Sequence, residues 1–403
     1  MKKIIILNFF FSILFCKVLH IGNGQQYSSL SSAAAVALPG DTLLFHSGTY
    51  SGGGYIQNLK GTESNWITIL AYENQSVIVQ GGSTAWQFSD PEYLKIQGFI
   101  FENQTSNGVN IDDGGTFETP AENIVISDCI FRNINASGNN DLLKLSGVDN
   151  FEIKNCRFEN GSPGGSGADM VGCHNGIFSQ NHFENAGINA IQSKGGSQYI
   201  TIERNFFKNC GDRTLNLGGS TSLQYFRPLN AEFEAADINV FSNIFISSEA
   251  PIAYVGSVRE NVVNNTFYLP EKWVVRILQE TVDPDRFAEC GDNKFANNII
   301  YLGNISTETN IGPNTRPSTF LYENNFWYNY QNTSWSGQIF LSSIVIKHSI
   351  LILSLQILAK MIFPFNRIVL LLQEFQDILC RKMIFTETDL IIPEVLELLK
   401  EMR

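Results

Sequence analysis

The chain has 403 residues, with 27 Lys+Arg against 39 Asp+Glu, a formal net charge of −12 and only 16% charged side chains. That balance disfavours nucleic acid and any general polyanion-binding surface, so an anionic partner would need a local basic patch. Thirty-three glycines and 12% aromatic residues suit tight corners around a stacked interior, and the length suits one large unit with no second globular domain.

The chain opens on Met1-Lys2-Lys3, then an apolar run from Ile4 to Phe15, then small and polar residues by Gly22-Asn23-Gly24. This is the layout of a secretory signal peptide, placed at residues 1–24, and the run is short for a membrane span. Phe15 is too large for the position before a lipidated cysteine, so Cys16 reads as part of an ordinary leader. The expectation is a secreted, periplasmic or cell-surface protein with no transmembrane anchor.

Residues 27–38 are rich in Ser and Ala and end at Pro39-Gly40, which predicts a short helix capping the open end of a stacked repeat. From Asp41 the pattern turns to short alternating runs, and then a phrase begins to repeat. Asp128-Cys129-Ile130-Phe131-Arg132-Asn133 returns as Asn155-Cys156-Arg157-Phe158-Glu159-Asn160, as Gln180-Asn181-His182-Phe183-Glu184-Asn185 and as Arg204-Asn205-Phe206-Phe207-Lys208-Asn209. Looser copies place rungs at Phe99, Cys129, Cys156, Asn181, Asn205, Asn243, Asn265, Asn298 and Asn325, spaced 30, 27, 25, 24, 38, 22, 33 and 27 residues apart.

Self-similarity at this period marks a solenoid, because one coil cannot bury its apolar face alone and must stack. Neither a Leu/Asn frame nor Trp-Asp pairs recur, which sets aside leucine-rich and propeller repeats. The fold predicted is all-β: a single-stranded right-handed parallel β-helix over residues 25–337, with the short N-terminal capping helix. Phe101, Phe131, Phe158, Phe183, Phe207, Phe245 and Phe267 would stack as an internal column. The aligned asparagines would form a ladder that satisfies backbone groups at a bend.

After about Gly337 the composition breaks. Residues 338–403 hold no Gly and one Asn. Lys347, His348 and Lys360 interrupt any membrane span there. The genetic code offers an explanation in a one-nucleotide frameshift. In the shifted frame Met361-Ile362 and Met383-Ile384 must each yield Asp, and strings such as Asp-Phe-Tyr-Gly-Asn and Gly-Ala-Phe-Glu become available. These restore the missing glycine and asparagine, so the tail is read as aberrant and outside the native fold. Resequencing the codons for 337–347 checks this, and an intact frame there removes the reading.

The seven cysteines make no disulfide framework. Cys129 and Cys156 share a rung column as small apolar stacking residues, and Cys173, Cys210 and Cys290 have no metal-like spacing. No metal site is expected.

From about Pro39 to Trp327, through Gly48-Thr49-Tyr50, Trp66-Ile67-Thr68-Ile69 and Val77-Ile78-Val79-Gln80-Gly81-Gly82, the chain resembles the pectate-lyase-like β-helix superfamily. Within it, the chain distantly resembles the group containing chondroitinase B and alginate lyases. The resemblance implies a polysaccharide partner, an acidic one among the options, and uronate lyase chemistry. In that group a lysine and, one coil on, an arginine carry the reaction. Ser193-Lys194 resembles the lysine strand, but the next strand carries Asn216 where the arginine would stand. The acidic calcium cluster of some members is not evident, so no cofactor is expected, with calcium the one left open.

The residues give a compatible picture on their own terms. The two swollen spacings, after Asn205 and after Asn265, mark long loops that would build a binding face. The strands Asp141–Leu145, Ala168–Gly172, Ala190–Lys194, Thr214–Gly218, Pro251–Val255 and Trp273–Glu280 should lie side by side. Alternation would then turn Lys144, Asp169, Gln192, Lys194, Asn216, Arg276 and Glu280 outward. β-Elimination needs a base for the proton beside a carboxylate, a cation to neutralise that carboxylate and an acid for the leaving oxygen. Lys194 is the candidate base, with Arg213, Arg227 or Arg276 near enough to depress its pKa. The catalytic set is Lys194, Arg213 and Arg276. Arg227, Tyr225, Asn216, Glu234 and Glu280 are candidates for substrate binding.

Two other readings stay open. A glycoside hydrolase would need two carboxylates facing one cleft, drawn from Asp169, Glu232, Glu234, Asp237 and Glu280. A non-catalytic glycan-binding or cell-surface protein would use Trp273, Tyr225 and Phe226 as stacking platforms. A lysine before Gly195-Gly196 is also what an ordinary solvated corner looks like. A monomer is expected throughout.

Overall fold

The computed structural model describes residues 16–116 and 118–332. The apolar run of the leader up to residue 15 and the whole 338–403 tail lie outside the described residues. The remainder winds into three parallel sheets of 15, 11 and 10 strands, and every ladder between named strands is parallel. Each coil gives one strand to each sheet in turn, so sequence neighbours lie in different sheets and spatial neighbours lie a coil apart. This is a parallel β-helix.

Val18–Ile21, placed within the leader by composition, is a strand that pairs residue for residue with Thr42–Phe45. Leu19 and Ile21 are buried, so alternate positions of this segment belong to the core. A five-residue helix, Leu30–Ala34, lies within the Ser- and Ala-rich stretch 27–38. Ser29 caps it and Ser32 completes a reciprocal capping pair.

The repeated phrase has a physical account at each position. Its first residue (Asp128, Asn155, Gln180, Arg204) and its last (Asn133, Asn160, Asn185, Asn209) all have φ between 50° and 57°. Two left-handed residues bracket a three-residue strand and turn the chain sharply at both ends, and Asn tolerates that region best after Gly. The central Phe points inward. Phe131 and Phe158 stack 4.9 Å apart at 3°, and Phe158 and Phe183 stack 4.5 Å apart at 5°. The column runs on from Phe183 through Phe207 and Phe245 to Phe267.

The second residue of the phrase builds the ladder. The side-chain amide of Asn181 donates to Asn205 Oδ1 at 3.0 Å, Asn205 to Asn243 at 3.1 Å, and Asn243 to Asn265 at 3.0 Å. Asn265, Asn298 and Asn325 continue it. Each Oδ1 also accepts the backbone N–H of the rung before, which the bend would otherwise orphan. Cys129 and Cys156 hold the same column as free buried thiols, and Cys156 N–H still reaches Asn181 Oδ1 at 2.9 Å.

Among the described residues no helix is long and apolar enough to cross a membrane. No group of three or more His, Cys, Asp or Glu there is placed to hold a metal ion.

Candidate functional site

The 10-stranded sheet holds the candidates Lys194, Arg213, Asn216 and Arg276. Its register aligns Tyr55, Gln87, Asn110, Lys144, Asp169, Gln192, Asn216, Ala253, Arg276 and Asn310 in one row. The flanking positions are core residues such as Leu143, Ala168, Ile191, Leu215, Ile252 and Val275, all buried. Period-2 alternation therefore turns the row outward. With one interruption, at Ala253, the row is a polar track along the solenoid.

Near its middle, two lysines meet one carboxylate. Asp169 is fully buried. It pairs with Lys144 from the preceding strand, and its Oδ1 lies 3.2 Å from Lys194 Nζ on the following one. Lys194 Nζ also reaches Gln192 Oε1 at 3.2 Å. Behind them sits Asp141, its Oδ2 3.5 Å from Lys144 Nζ and its Oδ1 accepting Ser166 N–H at 2.7 Å. Burial, and then the neighbouring Asp169 charge, push the Asp141 carboxyl up to about 6. Burial works against the Lys144 charge, but Asp169 and Asp141 outweigh it and raise its pKa.

The chain after Lys194 turns through Gly195 and Gly196, at φ 66° and 87°. Gly219 of the next coil then passes so close that a Cβ there would lie 2.9 Å from Gln192 Nε2 and 3.2 Å from Lys194 Cδ. The two long loops meet beyond this point. Phe226, Ala231 and Phe287 form a separate apolar cluster, and Arg286 lies 4.9 Å from the Phe226 ring and 4.7 Å from that of Phe287.

A second group lies farther along the track. Arg213 donates to Asn216 Oδ1 at 3.3 Å and to Glu280 Oε1 at 2.6 Å. Arg276 donates through Nε to Asn310 Oδ1 at 3.2 Å and sits 4.5 Å from the Trp273 ring. Lys272 sits 4.1 Å from the same ring and pairs with Glu249 at 2.6 Å.

The expected catalytic trio is thus divided. Arg213 pairs in register with Asn189, at the opposite end of the strand from Lys194. Arg276 is three strands away, about 14 Å at the usual strand spacing. Neither is the near neighbour of Lys194; that neighbour is an anion, Asp169.

Arg227 is committed elsewhere, in a two-pronged pair with Asp149 at 2.7 and 2.8 Å and a bond to the Gly172 carbonyl at 3.0 Å. Burial alone would raise the Asp149 carboxyl, but hydrogen bonds from Arg227 and His174 hold it at about 2. This arginine fastens the 219–234 loop to the solenoid and does not face the track. Glu234 is buried and accepts from Gly195 N, Thr221 N, Thr221 Oγ1 and Thr281 Oγ1, all within 2.9 Å, so it holds loops together.

Asn216 sits in the track, Glu280 is held by Arg213, and Tyr225 is 59% exposed beside Gly195. Phe226 is buried and offers no platform. Lys144 and Asp169, expected on the outward face and Asp169 as a carboxylate for hydrolysis, stood outside the lyase set, yet they are the residues that meet Lys194. The rung spacings align their strands with that of Lys194, but not to the single residue that decides which side chains meet.

The carboxylates proposed for hydrolysis do not face one cleft as a free pair. Asp169 and Glu234 are buried and bonded, Asp237 pairs with Arg259, and Glu280 pairs with Arg213. A cavity of about 640 Å³ near the other end, lined by Phe45, Tyr50, Trp86 and glycine backbone, contains no acid or base beyond the Tyr50 phenol.

With this geometry in hand, the chain can be set beside known proteins. Residues 76–267 match the family model described as the right-handed beta helix region. An alginate lyase from Paenibacillus sp. superposes with a TM-score of 0.51 at 14% identity, covering 76% of this chain and 97% of that one. The pectate lyase Pel9A gives 0.53 at 13% identity, covering 76% and 79%. A mannuronic acid-specific family 6 lyase from human gut microbiota gives 0.52 at 13% identity, covering 91% and 99%. No curated protein sequence matches the chain. The fold is a right-handed parallel β-helix.

Proposed function

We propose that this protein is an exported polysaccharide lyase that cleaves a uronate-containing polymer by β-elimination at the Lys144–Asp169–Lys194 group. The observation that carries the reading is the pair of lysines converging on one buried carboxylate, on the outward face of a β-helix sheet. Asp169 holds both side chains in place. Lys144, whose charge its two carboxylates favour, neutralises the substrate carboxylate. Lys194, once it has released its own proton to solvent, takes the proton from the carbon beside it.

The electron pair left behind forms the new C=C bond as the glycosidic C–O bond breaks, and the leaving oxygen takes a proton back from Lys194. Tyr225, exposed beside the Gly195 turn, gives a neighbouring sugar a face to stack on. The structural neighbours that are lyases agree with this class of reaction but do not identify the polymer. The helix Leu30–Ala34, which lies beside the first strands, is assigned the role of closing the solenoid there. No bound metal enters the scheme.

The test is incubation with alginate, pectate and glycosaminoglycans while following the ultraviolet absorbance of unsaturated uronates. A rise that Lys194→Ala abolishes and Lys144→Met strongly reduces supports the scheme. Reducing ends released from a neutral glycan without that absorbance would replace elimination with hydrolysis. Binding with no product from any polymer would make this a glycan-binding protein.

A further inference from the structure

The second group on the track poses a charge question of its own. Three cations gather there, and two of them have a carboxylate in hand: Arg213 holds Glu280 and Lys272 holds Glu249, both at 2.6 Å. Arg276 has a neutral hydrogen-bond partner, Asn310, and the face of Trp273. Among the described residues no ion pair within 4.0 Å involves Arg276. Glu249, Glu280 and the exposed Asp212 lie near enough to favour its charge, but burial and the Arg213 guanidinium outweigh them and its pKa is lowered. A half-buried guanidinium beside a second one, backed by an aromatic ring, is a position that an incoming anion would relieve.

We propose that Arg276, backed by Trp273 and Asn310, is a subsite for an anionic group carried by a saccharide. The site lies three strands along the track from Lys194 and is separate from the reacting centre. Guanidinium geometry suits a carboxylate or a sulfate through paired N–H donors, and the indole beside it offers a sugar ring an apolar face. This inference rests on the polysaccharide reading of the same face and extends it: the polymer carries charge at a repeat unit some way from the cleaved bond.

The test measures equilibrium binding by the full chain, separately from turnover. The probes are an oligogalacturonate, its carboxyl-reduced neutral counterpart and a chondroitin sulfate oligosaccharide. Hydrogen bonds to a charged group are strong enough that Arg276→Gln should weaken the oligogalacturonate about tenfold or more and flatten its salt dependence. The neutral oligomer should bind as before, and Arg276→Lys should recover part of the loss. Asn310→Asp is the second variant. It sets a carboxylate against Arg276 from the neighbouring strand and should weaken the acidic probe without removing the guanidinium.

The same pattern confined to the sulfated probe would keep the subsite and assign its ligand as a sulfate. Unchanged affinity in both variants, or no binding of any anionic oligomer, overturns the proposal. The lyase reading fails on a different readout. Arg276-dependent binding without unsaturated product leaves the subsite standing and removes elimination, whereas product formed with Arg276→Gln affinity unchanged does the reverse.

Discussion

Lys144 and Lys194 lie on strands two steps apart, and the one carboxylate of Asp169 on the strand between them meets both. Both ammonium groups are mostly covered, at 19% and 12% side-chain exposure, while Asp169 is fully buried. Neutralising the carboxylate would leave two cations facing one another in a poorly solvated place. Asp169→Asn is therefore expected to destabilise the protein by about 2 kcal/mol. Adding Lys144→Met should return part of that loss, because it removes one of the uncompensated charges. Urea denaturation checks this: the midpoint should fall and then partly recover with an unchanged m-value.

Arg227 gives a prediction in acid. The Asp149 carboxyl is held at about 2 in the fold, against about 3.9 in an unfolded chain. A depressed carboxyl contributes stability that is present above the unfolded value and lost as pH falls through the folded one. Asp149→Asn should thus cost roughly 2 kcal/mol at neutral pH and flatten the fall in stability between about pH 4 and pH 2. Arg227→Met should act in the same direction. It should also expose the 219–234 loop to proteolysis, since two of that arginine's anchors, Asp149 and the Gly172 carbonyl, lie on the body of the solenoid.

These two cases mark where the sequence is and is not legible. The phenylalanine column and the asparagine ladder follow from the repeat itself, because stacking sets like residues on like and a slip of one residue would turn every Phe outward. The outward set on the 10-stranded sheet follows from alternation within each strand. Contacts between coils are a different matter. Whether Lys194 meets Asp169 or Arg213 depends on a one-residue register that variable coil lengths of 24 and 38 conceal. Arg227 belongs to a loop whose path no periodicity governs, and its partner Asp149 lies 78 positions back. Glu234 looked like a free acid for the same reason: the four donors that occupy it come from three separate segments.

Asp141 should give the opposite pH signature to Asp149. Its carboxyl is pushed up to about 6 by burial and by Asp169. A raised carboxyl contributes stability that is present below the unfolded value and lost as pH rises through the folded one. Between about pH 4 and pH 6 the native protein then holds a proton that the unfolded chain has released, and stability falls with rising pH across that window. Asp141→Asn keeps an oxygen for the Ser166 N–H and removes the titration. It is expected to flatten the slope there and leave the region below pH 4 unchanged, as read by chemical denaturation at a series of pH values.

The ladder makes the most demanding prediction about the fold. Asn243 is fully buried. It donates to the Ile202 carbonyl at 2.8 Å, the Phe241 carbonyl at 3.1 Å and Asn265 Oδ1 at 3.0 Å, and it accepts from Asn205 at 2.9 and 3.1 Å. Alanine there would orphan a backbone N–H from the coil before and leave carbonyls unpaired with no route to water. Each such loss costs about 1–3 kcal/mol, so Asn243→Ala should cost about 3 kcal/mol or more. Cysteine is the informative comparison, because Cys129 and Cys156 fill the same column farther up with thiols that bond to nearby carbonyls at 3.2 and 3.3 Å. Asn243→Cys should therefore be less damaging than alanine. It still lacks an acceptor as good as Oδ1 for the Asn205 N–H, so it should not match the parent. Thermal midpoints in that order, parent above cysteine above alanine, would tie the ladder's stability to its hydrogen bonds. A cysteine variant as stable as the parent would tie it to side-chain volume instead, since Cys is close to Asn in size.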